Sequence, residues 1–244
     1  LPRMDGATGS RELSLGGEVD LTFWPALGFS AQQMSLSNPE GFDASQPFIA
    51  AERIVFAVAL MPLLRGDIEV KQLILENAAF NLVAKDDGAA NWTFPVDETA
   101  EDQTTLEDLR LDDMRITDST ISFQGAGAAA PMLLSDVDAE LALDSLDQPA
   151  HLNAAFDYLG ERVDVQADIG MPRALLEQSE TPLAAQIRAA PMNAEFGGAF
   201  NAENGALTGA LEANGASLRQ LMGWIGAPMV EGGGFGAYRL AAQV

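Results

Sequence analysis

The sequence predicts a mostly β protein with about a dozen strands and two or three short helices. Three observations predict it. Apolar residues recur with period two in run after run, the mark of half-buried strands. Helical periodicity surfaces in few places. The runs are punctuated by Gly, Pro, Asn and Asp, which favour turns.

Taken in chain order, Val19, Leu21 and Phe23 alternate with Glu18, Asp20 and Thr22 as a first strand. Ile54, Phe56, Val58 and Leu60 form another, whose intervening residues are also apolar, so both of its faces are expected to be buried. Residues 61–65 suit one helical turn with Pro62 in the first helical position. Leu73-Ile74-Leu75 followed by Phe80-Asn81-Leu82 is echoed by Leu109-Arg110-Leu111 followed by Ile121-Ser122-Phe123. This echo, at ~40 residues, reads as repeated strand pairing in an elongating sheet. Between its halves, Asp86-Asp87-Gly88 reads as a turn with Gly88 left-handed. Residues 97–105 are acidic and read as a solvated loop, a soft boundary inside one domain spanning 1–244. Residues 125–131 form a small-residue loop.

The second half repeats the pattern. Val137, Ala139, Leu141 and Leu143 alternate with Asp138, Glu140 and Asp144. Leu152, Ala154, Phe156 and Tyr158, then Val163, Val165, Ala167 and Ile169, make a hairpin about Gly160. Met192, Ala194 and Phe196 form a further strand, as do Leu207, Gly209 and Leu211. Residues 172–178 suggest a short helix. Ser217 can cap a helix over 217–225 that puts Leu218, Leu221, Met222 and Ile225 on one face before Gly226 and Pro228 end it. Residues 232–236 read as a turn.

Composition narrows the function. Hydrophobic residues make up 48% of the 244 residues, ample for a folded core. Acidic residues number 36 against 13 basic ones, a net charge of -23, and Lys and Arg occur singly. Nucleic acid is therefore not an expected partner. No cysteine is present, which removes disulfides, thiolate nucleophiles and Cys-ligated metals. No apolar run reaches the ~20 residues of a membrane span. The chain starts at Leu1 without Met or a signal peptide, as a cut or processed product would.

Catalytic constellations are not found. The single His151 lies at a strand start with no hydroxyl or second imidazole in its motif, so it reads as a solvated strand-end residue. Asp86-Asp87-Gly88 lacks the spacing of a calcium loop. The glycines of 232–236 lack the Lys-Ser/Thr of a phosphate loop. Asp136 and Asp138 read as same-face solvent residues, and Asp112-Asp113 as a turn. We therefore expect no enzyme activity, no cofactor and no metal.

Three segments carry a family resemblance. The first is Thr8-Gly9-Ser10-Arg11 leading through Gly17 and the Val19 strand to Pro25, then Leu36-Ser37-Asn38-Pro39-Glu40-Gly41-Phe42. The second is Leu60-Met61-Pro62-Leu63-Leu64-Arg65-Gly66-Asp67-Ile68-Glu69-Val70. The third is Asp87-Gly88 followed by Asn91-Trp92-Thr93-Phe94. In order and spacing they resemble the amino-terminal region of the AsmA family of bacterial envelope proteins. The resemblance covers roughly residues 8–94, and beyond it only the style of alternating strands and the 217–225 helix match. It implies an elongated, curved, antiparallel-rich sheet forming a groove, or half-pipe. It also implies a periplasmic location, an inner-membrane helix directly before the first motif, and a role in outer-membrane biogenesis with phospholipid as partner. Asn38, Pro39, Gly41, Pro62, Leu63, Leu64, Gly66, Gly88, Asn91 and Trp92 are then structural motif residues.

A sheet with one apolar face must cover it, and the helices are too few. The sheet either folds on itself as a filled sandwich or curls into a trough that accepts acyl chains. Periodicity alone favours the sandwich, and the resemblance favours the groove. Small residues such as Ala185, Ala189, Ala194, Gly198 and Gly209 would leave room in the lining. The lining candidates are Leu21 and Phe23 of the first strand, Ile54, Phe56, Val58 and Leu60 of the second, and Leu73 and Leu75. From the second half come Leu141, Leu143, Phe156, Tyr158, Val163 and Val165. The alternative is a structural or regulatory module in outer-membrane protein assembly, with a filled core and no lipid.

Overall fold

Short connections set the strand order. Between Tyr158 and Glu161, Leu159 and Gly160 both adopt left-handed backbone, with φ of 50° and 83°. That is the two-residue hairpin turn whose twist matches the flanking strands. The computed structural model describes residues 11–24, 26–64, 69–93, 110–229, 232 and 234–244. Its strands are β1 (Leu13–Thr22), β2 (Ala26–Leu36), β3 (Ile49–Ala59), β4 (Glu69–Val83), β5 (Arg110–Gln124) and β6 (Met132–Leu143). They continue as β7 (Ala150–Tyr158), β8 (Glu161–Ile169), β9 (Glu180–Ala189), β10 (Met192–Asn201), β11 (Leu207–Gly215) and β12 (Tyr238–Gln243). The helices are α1 (Leu60–Leu63), α2 (Arg173–Leu176) and α3 (Leu218–Trp224).

All twelve strands belong to one open sheet, in chain order from β1 to β12. The chain divides into two compact units, Leu1–Asp138 and Ala139–Val244, with β6 passing through the division. The β4–β5 pair is parallel, whereas β1–β2, β2–β3, β3–β4 and every pair from β7 to β12 are antiparallel. The parallel pair accounts for part of the sequence echo. Phe80 stands beside Ile121 and Leu82 beside Phe123, but Leu73 stands beside Met114, three residues past Leu111.

A line of bulges crosses the first unit. Gly17, Gln33, Asn77, Asp118 and Asp136 take positive φ, each within a different strand. The register aligns Gly16, Gln32, Arg53, Glu76 and Thr117 in one row beside them. Two successive polar residues at this row turn outward, and the apolar pattern resumes one residue later. Thus Ala31 and Met34, Ile54 and Ala51, and Leu75 and Ala78 all join one buried cluster. Asn and Asp tolerate the left-handed conformation better than most residues. The row is tied outside by Arg53–Glu76 at 2.7 Å and by Asn77 donating to Glu52 at 2.9 Å. Inside, the Ala78 N–H donates to the Ser119 hydroxyl oxygen at 2.9 Å, and that hydroxyl donates to the Thr117 carbonyl at 2.8 Å. Ser119 is buried and satisfies the donor that the interrupted ladder leaves over.

The second unit needs no such device, and its registers from β7 to β11 run without a shift. Gly198 and Gly209 face each other there. A Cβ on Gly198 would lie 2.1 Å from the Thr208 carbonyl oxygen, and one on Gly209 would lie 2.4 Å from that of Gly197. Close backbone approach, not spare room for a ligand, requires these two glycines. Ser217 caps α3 by accepting from the Gln220 N–H, and Arg173 of α2 forks onto Asp147 at 2.6 and 2.8 Å.

Other expectations need correction. Pro62 is the third residue of α1, still within the first turn, where its missing N–H costs nothing. Asp112 and Asp113 lie within β5, where Lys71 and Arg115 pair them, and not in a turn. The bulge at Asp136 breaks the simple alternation with Asp138, whose carboxylate accepts from the Asp118 N–H. Val55 and Ala57 are half-buried, so β3 is not buried on both faces. The 97–105 loop, Thr8, Gly9, Ser10, Pro25, Arg65, Gly66, Asp67, Ile68, Phe94, Leu109 and part of 232–236 lie outside the described residues.

Two outcomes follow from these bonds. Ser119→Ala leaves the Ala78 N–H unsatisfied and should cost about 1–3 kcal/mol, measured as a lower urea midpoint at unchanged slope. Asp147 is held below the usual carboxylate range by its hydrogen bonds from Arg173. Its contribution is present above about pH 4 and fades on acidification. The gap in urea midpoint between wild type and Asp147→Asn should therefore shrink between neutral and acid pH.

Candidate functional site

Each unit presents one continuous apolar face built from paired strands. In the first, Leu21, Phe29, Phe56, Leu73 and Met114 fall in one cross-strand row, and Val19, Ala31, Ile54, Leu75 and Ile116 in the next. Phe29 and Phe56 meet with ring centroids 5.9 Å apart. Burial is graded along these rows. Leu75 and Ile54 are each 6% exposed, whereas Leu21 on the edge strand is 62% exposed.

In the second unit, Ala154, Val165, Ile187, Ala194, Ala213 and Leu240 make one row across six strands. Beside it run Leu152, Ala167, Ala185, Phe196, Leu211 and Ala242. The opposite face carries Asp164, Arg188, Asn193, Asn214 and Arg239, all exposed. In the first unit the row on the opposite face is mixed, with Asp20, Ser30 and Arg115 flanking Val55 and Ile74.

The sequence candidates distribute unevenly. Leu21, Ile54, Phe56, Leu73 and Leu75 fall in the first unit's rows, and Val58 pairs with Leu27 and Val70 beside them. Val165 falls in the first of the second unit's rows, and Val163 lies in the neighbouring row between Phe156 and Ala189. Leu141 is half-buried and Leu143 buried on β6, each next to exposed Glu140 or Asp144. Tyr158 is engaged by its own chain. Its ring meets Trp224 of α3 edge-on, and its carbonyl accepts from the Trp224 indole N–H at 2.9 Å. Phe23 follows the end of β1 and Leu60 begins α1, so neither is a strand residue. Sequence reasoning missed all of β2, with Phe29, because the bulge at Gln33 breaks its alternation. The signal was two adjacent polar residues, Gln32-Gln33, between apolar Ala31 and Met34.

The first and third motifs meet elsewhere, where Asn38 and Asn91 form a buried polar knot, whereas Pro62, Leu63 and Leu64 of the second lie in or next to α1. Asn91, fully buried, accepts from the Val83 N–H at 2.8 Å and donates to the Asn38 side-chain oxygen at 2.8 Å and the Asn81 carbonyl at 2.6 Å. Asn38 donates in turn to the carbonyls of Asp43 and Gln46. Arg11 is buried, donates to the Thr93 carbonyl at 2.9 Å and lies over the Phe48 ring. Burial lowers its pKa from the ordinary guanidinium value. Lys85 donates to the Gly41 carbonyl and lies 4.3 Å from the Phe42 ring centroid. Trp92 packs on Phe123 at 5.9 Å. Gly88 takes φ of 86° in its turn. A pocket of about 550 Å³ beside the knot is lined mainly by polar residues, among them Ser14, Ser35 and Glu40. It is separate in character from the apolar rows.

Among the described residues, no group of three His, Cys, Asp or Glu is placed to hold a metal ion. His151 stands opposite Asp168 across β7–β8, and both side chains are exposed.

The family model described as the AsmA family matches residues 7–231. Protein AsmA of Escherichia coli (strain K12) is 33% identical over 85 residues, a stretch covering 35% of this chain and 13% of that protein. The matched stretch is thus a small part of that relative's length. No solved structure gives a significant match.

The knot yields an outcome of its own. Asn91→Ala strands the Val83 N–H and two acceptors in a site without solvent, at a cost of about 2–5 kcal/mol. A thermal melt should show a large drop, and an unchanged melt would contradict the structural role given to Asn91.

Proposed function

This chain belongs to the AsmA family, and on that premise we propose that it binds and conducts phospholipid along its apolar sheet faces. Family membership carries the coarser statement, a bacterial envelope protein with an outer-membrane-related function. The finer reading places the chain in the periplasm, anchored to the inner membrane in the full-length protein, as one stretch of a lipid path between the membranes. Among the described residues no helix is long and apolar enough to cross a membrane.

The observation that supports the conduit most is the continuity of the apolar rows. Six strands of the second unit place Ala, Val, Ile, Phe and Leu side by side without a polar interruption. An acyl chain recognises only apolar surface and gains about 0.8 kcal/mol for each CH₂ taken out of water. Such a path needs no nucleophile, general base or metal, so the reading assigns the chain no catalytic role. The exposed polar face keeps the outer side hydrated.

One observation favours the alternative, an assembly module with a filled core. The first unit's cluster of Ala31, Met34, Ala51, Ile54, Leu75 and Ala78 is buried by its own side chains. The conduit reading therefore puts lipid against the half-buried residues Phe29, Phe56 and Leu73 in that unit, not against the cluster.

Native mass spectrometry on Phe56→Asp, Phe156→Asp and wild type tests the reading. Wild type should carry phospholipid. Each half-buried lining position should lose most of it when charged, with the melt largely retained because the carboxylate still reaches water. Wild type without lipid, together with lining variants that unfold, would favour the assembly module.

A further inference from the structure

One end of the first unit concentrates exposed apolar side chains. The β1–β2 connection presents Phe23 at 64% and Trp24 at 68% exposure. Ala26, the first residue of β2, pairs with Ala59, the residue directly before α1. The connection therefore sits beside α1, where Met61, Leu63 and the following Leu64 are also exposed. Leu27, next along β2, is exposed and belongs to the apolar face.

The charge pattern is equally selective. In a chain of net charge -23, no charged residue occurs from Leu21 to Pro39 or from Ile54 to Leu64. Of the described charges at this end of β4 and β5, Lys71 pairs with both Glu69 and Asp112, and Arg110 stands beside Glu69 in the register. Two separate elements thus carry apolar side chains into solvent at one place, each within an uncharged stretch of sequence.

We propose that this tip, formed by the β1–β2 connection and α1, inserts into the surface of a lipid bilayer. Trp and Phe suit the boundary between headgroups and hydrocarbon, where an apolar ring can be buried while the backbone stays wet. A protein partner of a large apolar patch would be recognised in part through polar rim groups. The tip side chains named here offer none but the indole N–H of Trp24. A strongly acidic chain is repelled by anionic headgroups, so apolar insertion is the contact left to it. The row Leu21–Phe29–Phe56 starts next to the tip, so the apolar face opens at the bilayer. The inference deepens the conduit reading by placing the membrane end of the path, and it rests on that reading for its purpose but not for its test.

Flotation with phosphatidylcholine vesicles tests it. Wild type should float with the vesicles. Raising salt from about 0.05 M to about 0.5 M should leave binding unchanged, because no charge pairing carries it. The double variant Phe23→Ser with Trp24→Ser, and separately Met61→Ser with Leu64→Ser, should bind about tenfold or more weakly while melting like wild type, since these side chains are exposed in the free protein. Phe56→Asp, which removes lipid carriage under the conduit reading, should still float. Tip-dependent flotation of a wild type that carries no phospholipid would sustain the tip and sink the conduit. Wild type that does not float, tip variants that float as well as wild type, or flotation abolished by salt would overturn the proposal. So would a dimer in solution that the tip variants dissociate while wild type leaves vesicles unbound.

Discussion

Side-chain alternation is the constraint on which the rest of the structure depends. A strand places successive residues on opposite faces, so each strand joining the sheet must present its apolar residues at matching positions. A slip of one residue in β8 would put Asp164 on the face of Ile187, and one in β9 would put Arg188 on the face of Val165. Strands of the second unit meet this requirement by sequence alone. Those of the first unit meet it only by means of the bulge line, which lets two adjacent polar residues turn outward and restores the apolar phase beyond them. The left-handed residues and the buried Ser119 are therefore conditions for an unbroken face, not local irregularities.

This difference decides how far the fold was legible in the sequence. Where alternation is uninterrupted, as at Leu152 to Tyr158 and Val163 to Ile169, the strands, their hairpin and their inward residues are all readable. Where a bulge intervenes, the phase changes across it, so no single period-two pattern covers the whole strand. The run from Leu27 to Leu36 fails in this way and hides Phe29. The parallel β4–β5 pair was legible only as an echo, because a register between distant strands leaves no mark beyond similar spacing. Gly198 and Gly209 were misread as spare room because composition shows small size but not how near the opposite backbone lies.

The Asn38 and Asn91 motifs and the apolar rows occupy different parts of the molecule for a physical reason. Asn38, Asn91 and Arg11 need specific partners, since a buried polar group without one is costly. Positions so constrained accept few residue types and form recognisable strings. An apolar face that accepts acyl chains constrains only polarity, so Val, Ile, Leu, Phe and Ala interchange along it. These two motifs thus announce the family by way of a stabilising knot, while the rows proposed to carry lipid are marked only by periodicity.

Site-specific photo-crosslinking along β9 tests the central claim most directly. A photoreactive residue would be placed in turn at Ala185, Gln186, Ile187, Arg188 and Ala189, and the protein isolated from an envelope and analysed for phospholipid adducts by mass spectrometry. The account predicts adducts at 185, 187 and 189 and none at 186 and 188, in step with the strand period. Equal adducts at all five positions, or none at any, would contradict it.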